Sequence, residues 1–360
     1  MLDKVAVIGA GSWGTTVASI AAASSDTVLW ARRPELAEAV HSGHVNPDYL
    51  PDVTLPTELR ATASLEEAAD ACDIVIMGVP SHGFRAVLAQ LRPFLARGVP
   101  VISLAKGLEQ GTHLRMTEVI AQVLPGHPAG VLSGPNLARE IVAGQPAATV
   151  VAMADGEVAC AVQELLRTDT FRVYTNPDVV GCEIAGATKN VLAIAAGILQ
   201  GLGLGDSSLA AMITRGLAEL GRLGVALGGD RMTIAGLAGV GDLVATCTSK
   251  LSRNRMVGEE LGRGRSLEDI LADMRMVAEG IKTARPLLDL AAANDVEMPI
   301  GEQVALVLEG ERTPEQAIPA LMRRSAKPEF QGLTKSGDAS VDERGDADDV
   351  GGQVRAIGPS

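Results

Sequence analysis

Short β-branched runs recur through the first half of the chain and then stop. KVAVIGAG, TVLWA, CDIVIMGVP, VPVISLAKG, AGVLSGP, AATVVAM and FRVYTN follow one another between Lys4 and Asn176, with helix-compatible stretches between them. Parallel strands need a long crossover to return across the face of a sheet, so this rhythm predicts a mostly parallel, doubly wound α/β sheet. From about Asp178 onward, Ala-, Leu- and Gly-rich stretches of helical length take over. Across residues 207–227, Leu209, Ile213, Leu217, Leu220 and Leu227 can share one side of a helix while Arg215, Glu219 and Arg222 lie on another. Beyond Ala326 the chain runs into SGDASVDERGDADDVGGQVRAIGPS, rich in Gly, Asp and Ser and without aromatics, which predicts a disordered tail. The expected layout is α/β plus all-α: a sheet domain over residues 1–178, a helical domain over 179–325 and an acidic tail over 326–360.

A chain of 360 residues with 47% hydrophobic content can bury two cores, and its formal charge of -13 removes the broad positive field that nucleic acid or an anionic membrane surface attracts. A small anionic ligand remains compatible with cations gathered at one place. Cys72, Cys160, Cys182 and Cys247 stand far apart without a C-x-x-C pair, and the histidines do not cluster near them, so reduced thiols and no metal are expected. At the N-terminus Asp3, Lys4 and the glycines at positions 9, 11 and 14 interrupt the apolar run, which reads as a strand rather than a secretion signal. Lys189 divides the best candidate for a membrane span, GATKNVLAIAAGILQGLGLG. A soluble, cytoplasmic protein is expected.

Gly9-Ala10-Gly11-Ser12-Trp13-Gly14 follows the first run and opens a helix-compatible stretch. In that setting the first glycine permits a tight turn, the second lets the backbone approach a pyrophosphate, and the third lets helix and strand pack closely. The helix N-terminus then offers N–H donors to phosphate oxygens. The sheet domain is accordingly read as a Rossmann-type dinucleotide-binding domain, with a purely structural turn as the alternative. An acidic residue at the end of the second strand would hold a ribose 2′-hydroxyl; here Arg32 and Arg33 stand in its place and favour a 2′-phosphate, hence NADP(H) over NAD(H). The alternative is a solvated arginine pair. Pro80, Ser81 and Lys106 fall at the ends of later strands, which face the ligand crevice of such a sheet.

In the helical half, Lys189 is the one charged residue in an otherwise small and apolar stretch. A lysine stripped of water needs a partner or gives up its proton more readily, which suits proton transfer; capping a helix or snorkelling to the surface is the alternative. Asp242 lies in GVGDLVATC, and Ser252, Arg253, Asn254 and Arg255 form a cluster fit to cradle a phosphomonoester, or else a solvated basic patch.

Together, GAGSWGT, LPDV, VPSH, AKGLE, SGPNLARE, FRVYTNPD, GATKNV, ITRGLAE, GVGDLVATC, SRNR and MPI resemble the bacterial NAD(P)-dependent glycerol-3-phosphate dehydrogenases from about Lys4 to Arg324. A homodimer is expected, with which the chain's apolar surplus is compatible. The resemblance implies reversible reduction of dihydroxyacetone phosphate to sn-glycerol 3-phosphate, supplying phospholipid synthesis. It makes Lys189 the proton donor and acceptor, with Lys106, Asn190 and Asp242 at the reacting centre. Ser252, Arg253 and Asn254 would hold the phosphate end, and Gly134 and Asn136 would line the substrate site. Gly9, Gly11, Ser12, Trp13, Gly14, Arg32, Arg33, Lys106, Ala138, Arg253, Val277 and Glu279 would border the cofactor. Asn136 departs from the Ser or Thr of many relatives, which puts its contact geometry in question. Two other classes stay open. A β-hydroxyacid dehydrogenase of the 6-phosphogluconate or 3-hydroxyisobutyrate type shares the layout and the lysine but not SRNR and GVGDL. A nucleotide-binding regulator would need the glycine turn but not Lys189, Asp242 and Arg253 together.

Overall fold

All seven runs form strands in the computed structural model, which describes residues 2–274, 278–325 and 328–329. The strands are β1 (Lys4–Ile8), β2 (Asp26–Trp30), β3 (Val45–Asn46), β4 (Leu50–Thr54), β5 (Arg60–Thr62), β6 (Ile74–Met77), β7 (Val101–Ser103), β8 (Ala129–Ser133), β9 (Ala147–Met153) and β10 (Phe171–Asn176). Eight of them make one sheet in the order β10-β9-β8-β7-β6-β1-β2-β5. Every pairing is parallel except β8 with β9. Strand order reverses between β1 and β6, and a crevice at the carboxyl ends of the strands opens there. Val277 and the expected tail, apart from residues 328–329, lie outside the described residues.

The sequence reading missed β5 and the antiparallel pair β3–β4. β5 is three residues long, too short for a period-two pattern to register, and Pro51 inside β4 argues against a strand by composition. Both pieces matter below, because they carry the chain along the rim of the crevice.

After β10 ends at Asn176, the Val179–Gly201 helix begins, capped by the Asp178 carboxylate on the Gly181 N–H at 2.8 Å. By length and composition this helix could cross a bilayer, yet most of it is packed inside the protein. Lys189 does not interrupt it. The Arg253–Gly262 helix lies against it at backbone distance: a Cβ on Gly197 would sit 1.9 Å from the Arg255 carbonyl, and one on Gly258 2.0 Å from that of Ile194. This glycine-on-glycine contact brings residues 252–254 beside Lys189 and Asn190.

The Asp206–Ala226 helix turns Leu220 into the core and packs Leu209, Ile213 and Leu217 against it. Glu219, expected on the polar side, is buried instead. Its carboxylate accepts the Ile300 and Gly301 N–H groups at 2.7 and 3.2 Å, the free donors at the start of the Pro299–Leu308 helix. Periodicity could not reveal this, since the partner is a distant helix terminus.

Candidate active site

The glycine turn sits at the switch point. Gly9 has φ +119°, and a Cβ there would meet the Gly78 carbonyl carbon, just past β6, at 2.8 Å; one on Gly14 would meet the Gly9 oxygen at 2.0 Å. At Gly11 a Cβ would meet nothing within 4 Å, so the backbone is open on that side. The Ser12–Ala21 helix starts here without an acidic residue in its first turn. Its leading N–H groups have no intrahelical acceptors, and Ser12, Trp13 and Gly14 line a cleft of about 480 Å³. The turn fits a dinucleotide pyrophosphate. Arg32 and Arg33 line the same cleft. Arg33 pairs with Asp48, whereas Arg32 makes no hydrogen bond or ion pair among the described residues.

Across the cleft, one carboxylate organises two lysines. Asp242 is buried at the start of the Asp242–Thr248 helix. Its Oδ1 accepts from Lys189 Nζ at 2.7 Å and its Oδ2 from Lys106 Nζ at 2.6 Å. Lys189 also donates to Thr246 Oγ1 at 2.7 Å, and Lys106 to the Gly134 carbonyl at 2.8 Å. Lys189 is 7% exposed and lines the cleft, so it neither snorkels nor caps. Removing both ammoniums from water is costly, and these oxygens replace part of the lost solvation. Burial draws Lys106 down to about 8 against the pull of Asp242. Burial also opposes ionisation of Asp242, but the two lysines outweigh it and hold its carboxyl below the usual range.

A chain of amides fixes the neighbouring groups. Asn190 donates to the Lys106 carbonyl at 2.7 Å, Asn254 donates to Asn190 Oδ1 at 2.9 Å, and the Gly280 N–H donates to Asn254 Oδ1 at 2.9 Å. Ser252 caps the Arg253–Gly262 helix by accepting the Arg255 N–H at 3.3 Å. The two arginines of SRNR separate: Arg255 is buried and bonded to Gln200 and Glu259, whereas Arg253 reaches the cleft without a hydrogen bond or ion pair among the described residues. Glu279 lines the cleft and accepts the Ser81 and Lys106 N–H groups at 3.1 and 3.3 Å. It thereby ties the loops after β6 and β7 to the Glu279–Ala292 helix.

Gly134 and Ala138, expected at the ligand, are not on the cleft wall, and the Asn136 side chain is already bonded. Ala138 begins a short helix, and its carbonyl accepts Thr16 Oγ1 at 3.5 Å. Asn136 lines the cleft, yet its side chain is engaged with β9, accepting Thr149 Oγ1 at 2.9 Å and donating to the Ala148 carbonyl at 3.4 Å. Sequence reasoning overlooked Thr246 and Tyr49. Thr246 lies four residues after Asp242 on one helix, a spacing that could have disclosed it; nothing local marks Tyr49, which the β3–β4 hairpin brings to the cleft. Among the described residues, no group of three or more His, Cys, Asp or Glu side chains is placed to hold a metal ion.

A mostly parallel sheet whose glycine turn opens onto the same cleft as a buried lysine held by an aspartate fits the class of NAD(P)-dependent dehydrogenases. Comparison with known proteins narrows it. A family model described as the NAD-dependent glycerol-3-phosphate dehydrogenase N-terminus matches residues 4–159, and one described as the C-terminus of the same enzyme matches residues 178–319. The chain belongs to the NAD-dependent glycerol-3-phosphate dehydrogenase family. It is 52% identical to glycerol-3-phosphate dehydrogenase [NAD(P)+] 2 of Sphingopyxis alaskensis, over 91% of this chain and 98% of the relative. It is 51% identical to the enzyme of Thermobifida fusca, over 92% of this chain and 100% of that one. The crystal structure of glycerol-3-phosphate dehydrogenase from Coxiella burnetii superposes with a TM-score of 0.86 at 36% identity, covering 89% of this chain and 99% of the other.

Proposed function

We propose that the chain interconverts dihydroxyacetone phosphate and sn-glycerol 3-phosphate, with residues 1–178 holding the dinucleotide and residues 179–325 the substrate. The observation that carries this reading is the Asp242 carboxylate with Lys189 on one oxygen and Lys106 on the other, facing the glycine turn. When bound, the nicotinamide cofactor supplies or accepts the hydride at substrate C2. Lys189 gives its Nζ proton to the C2 oxygen as the carbonyl becomes a hydroxyl, and takes it back in oxidation. Asp242 and Thr246 aim that ammonium. Lys106 and Asn190 polarise the same oxygen, while Arg253, Ser252 and Asn254 hold the phosphate. Gly134 acts through its carbonyl on Lys106, and Asn136 borders the substrate.

The assay follows nicotinamide absorbance with dihydroxyacetone phosphate in the reductive direction, and with 6-phosphogluconate and 3-hydroxyisobutyrate in the oxidative direction. Oxidation of the reduced cofactor dependent on dihydroxyacetone phosphate is the expected result. Activity on the hydroxy acids alone overturns the reading. Arg253→Ala should raise the KM for dihydroxyacetone phosphate by about tenfold or more with a smaller change in kcat, because a phosphate anchor serves ground and transition states alike.

For the cofactor, NADP(H) is favoured over NAD(H), a preference supported by Arg32 rather than by the Asp48-paired Arg33. Arg32→Ala should raise the KM for NADPH by about tenfold and leave that for NADH within about twofold, since a charge-assisted bond to the 2′-phosphate is lost. Equal changes in the two constants would remove Arg32 from 2′-phosphate recognition. We read the protein as a cytoplasmic homodimer; light scattering on the purified chain checks the stoichiometry.

A further inference from the structure

Asn46 lies at the end of β3, fully buried, and is not on the cleft wall. Its side chain is completely engaged. Nδ2 donates to the Ala10 carbonyl at 3.0 Å and to Thr15 Oγ1 at 2.8 Å, while Oδ1 accepts the Tyr49 N–H at 3.1 Å. One amide therefore binds the glycine turn, the helix that follows it and the β3–β4 hairpin.

The Ala10 contact has a directional effect. The peptide between Ala10 and Gly11 is planar and trans, so its carbonyl and its N–H point in opposite directions. Holding the Ala10 oxygen toward Asn46 turns the Gly11 N–H away from Asn46, to the side where Gly11 lines the cleft. Without that hold the peptide can rotate and present a carbonyl oxygen to an anion. The Tyr49 contact holds the hairpin, which carries Tyr49 to the cleft.

We propose that Asn46 is a positioning residue for dinucleotide binding: it locks the Ala10–Gly11 peptide with its N–H turned to the cleft and seats the Tyr49 hairpin beside it. The inference rests on the cofactor reading above. Because the pyrophosphate is common to both nucleotides, loss of Asn46 weakens NADPH and NADH by the same factor.

The test compares wild type with Asn46→Ala, measuring Kd for NADPH and NADH by calorimetry and steady-state constants with dihydroxyacetone phosphate. We expect both Kd values to rise by about tenfold or more, with kcat at saturating cofactor and the KM for dihydroxyacetone phosphate within about twofold of wild type. Unchanged Kd values overturn the proposal. So does a parallel loss in every constant, which would make Asn46 merely structural. If Asn46→Ala does not fold, the near-isosteric Asn46→Leu carries the same expectations and the same contradictions. Wild-type protein that binds neither nucleotide would overturn the cofactor reading itself, and this proposal with it.

Discussion

Lys189→Met lowers kcat for dihydroxyacetone phosphate reduction by about a hundredfold or more while leaving the Kd for NADPH nearly unchanged. The methionine fills a similar volume but has no proton to give, and its sulfur is a poor partner for Asp242 Oδ1, which Lys189 Nζ approaches at 2.7 Å. The glycine turn proposed to hold the nucleotide belongs to a different part of the chain and keeps its own hydrogen bonds. The effect therefore falls on turnover. Stopped-flow mixing with substrate and a nucleotide titration separate the two constants; near-wild-type turnover would remove Lys189 from the mechanism.

Asp242→Asn should be as damaging for a different reason. The carboxylate accepts from both lysines, and an amide offers one oxygen where two are needed while turning its NH2 toward the other ammonium. We expect kcat/KM to fall by about a hundredfold or more, in line with breaking a buried charge network and leaving cations unpaired. A pH signature accompanies the loss. In the wild type Lys106 is drawn by burial to about 8, so the cationic contribution proposed for it in holding an anionic substrate is full only well below that pH and fades as the pH rises through it. Asp242 pulls the Lys106 value upward, so removing it moves the limb to lower pH. A KM profile whose alkaline limb stays in place in Asp242→Asn would contradict the coupling.

The sheet was legible because seven strands with β-branched residues, most of them buried, repeat between helix-compatible stretches. Its rim was not. β5 and β3 are too short to show a period and Pro51 disguises β4, yet the β3–β4 hairpin brings Tyr49 to the cleft and buries Asn46 against the glycine turn. Part of the site is legible in residue types: a lysine in apolar surroundings, an aspartate after glycines, an arginine flanked by serine and asparagine; Asn190, Gly134, Asn136, Ala138, Val277 and Glu279 come only from the family resemblance. What sequence could not provide was the pairing. That Lys106 and Lys189 share one carboxylate, that Arg253 reaches the cleft while Arg255 turns to Gln200, and that Glu219 caps a distant helix all depend on contacts between segments far apart in the chain. Periodicity carries no information about such partners.

The central claim is that the Lys189 ammonium is the proton donor to the reduced carbonyl. The direct measurement is chemical rescue of Lys189→Ala with small alkylammonium ions of graded acidity, added to saturating NADPH and dihydroxyacetone phosphate. The account predicts a rate that rises with amine concentration and with the acidity of the added ammonium, because the cavity left beside Asp242 and Thr246 admits a free cation in place of the missing side chain. A well-folded, NADPH-binding Lys189→Ala protein whose rate ignores every amine, or that needs none, would contradict it.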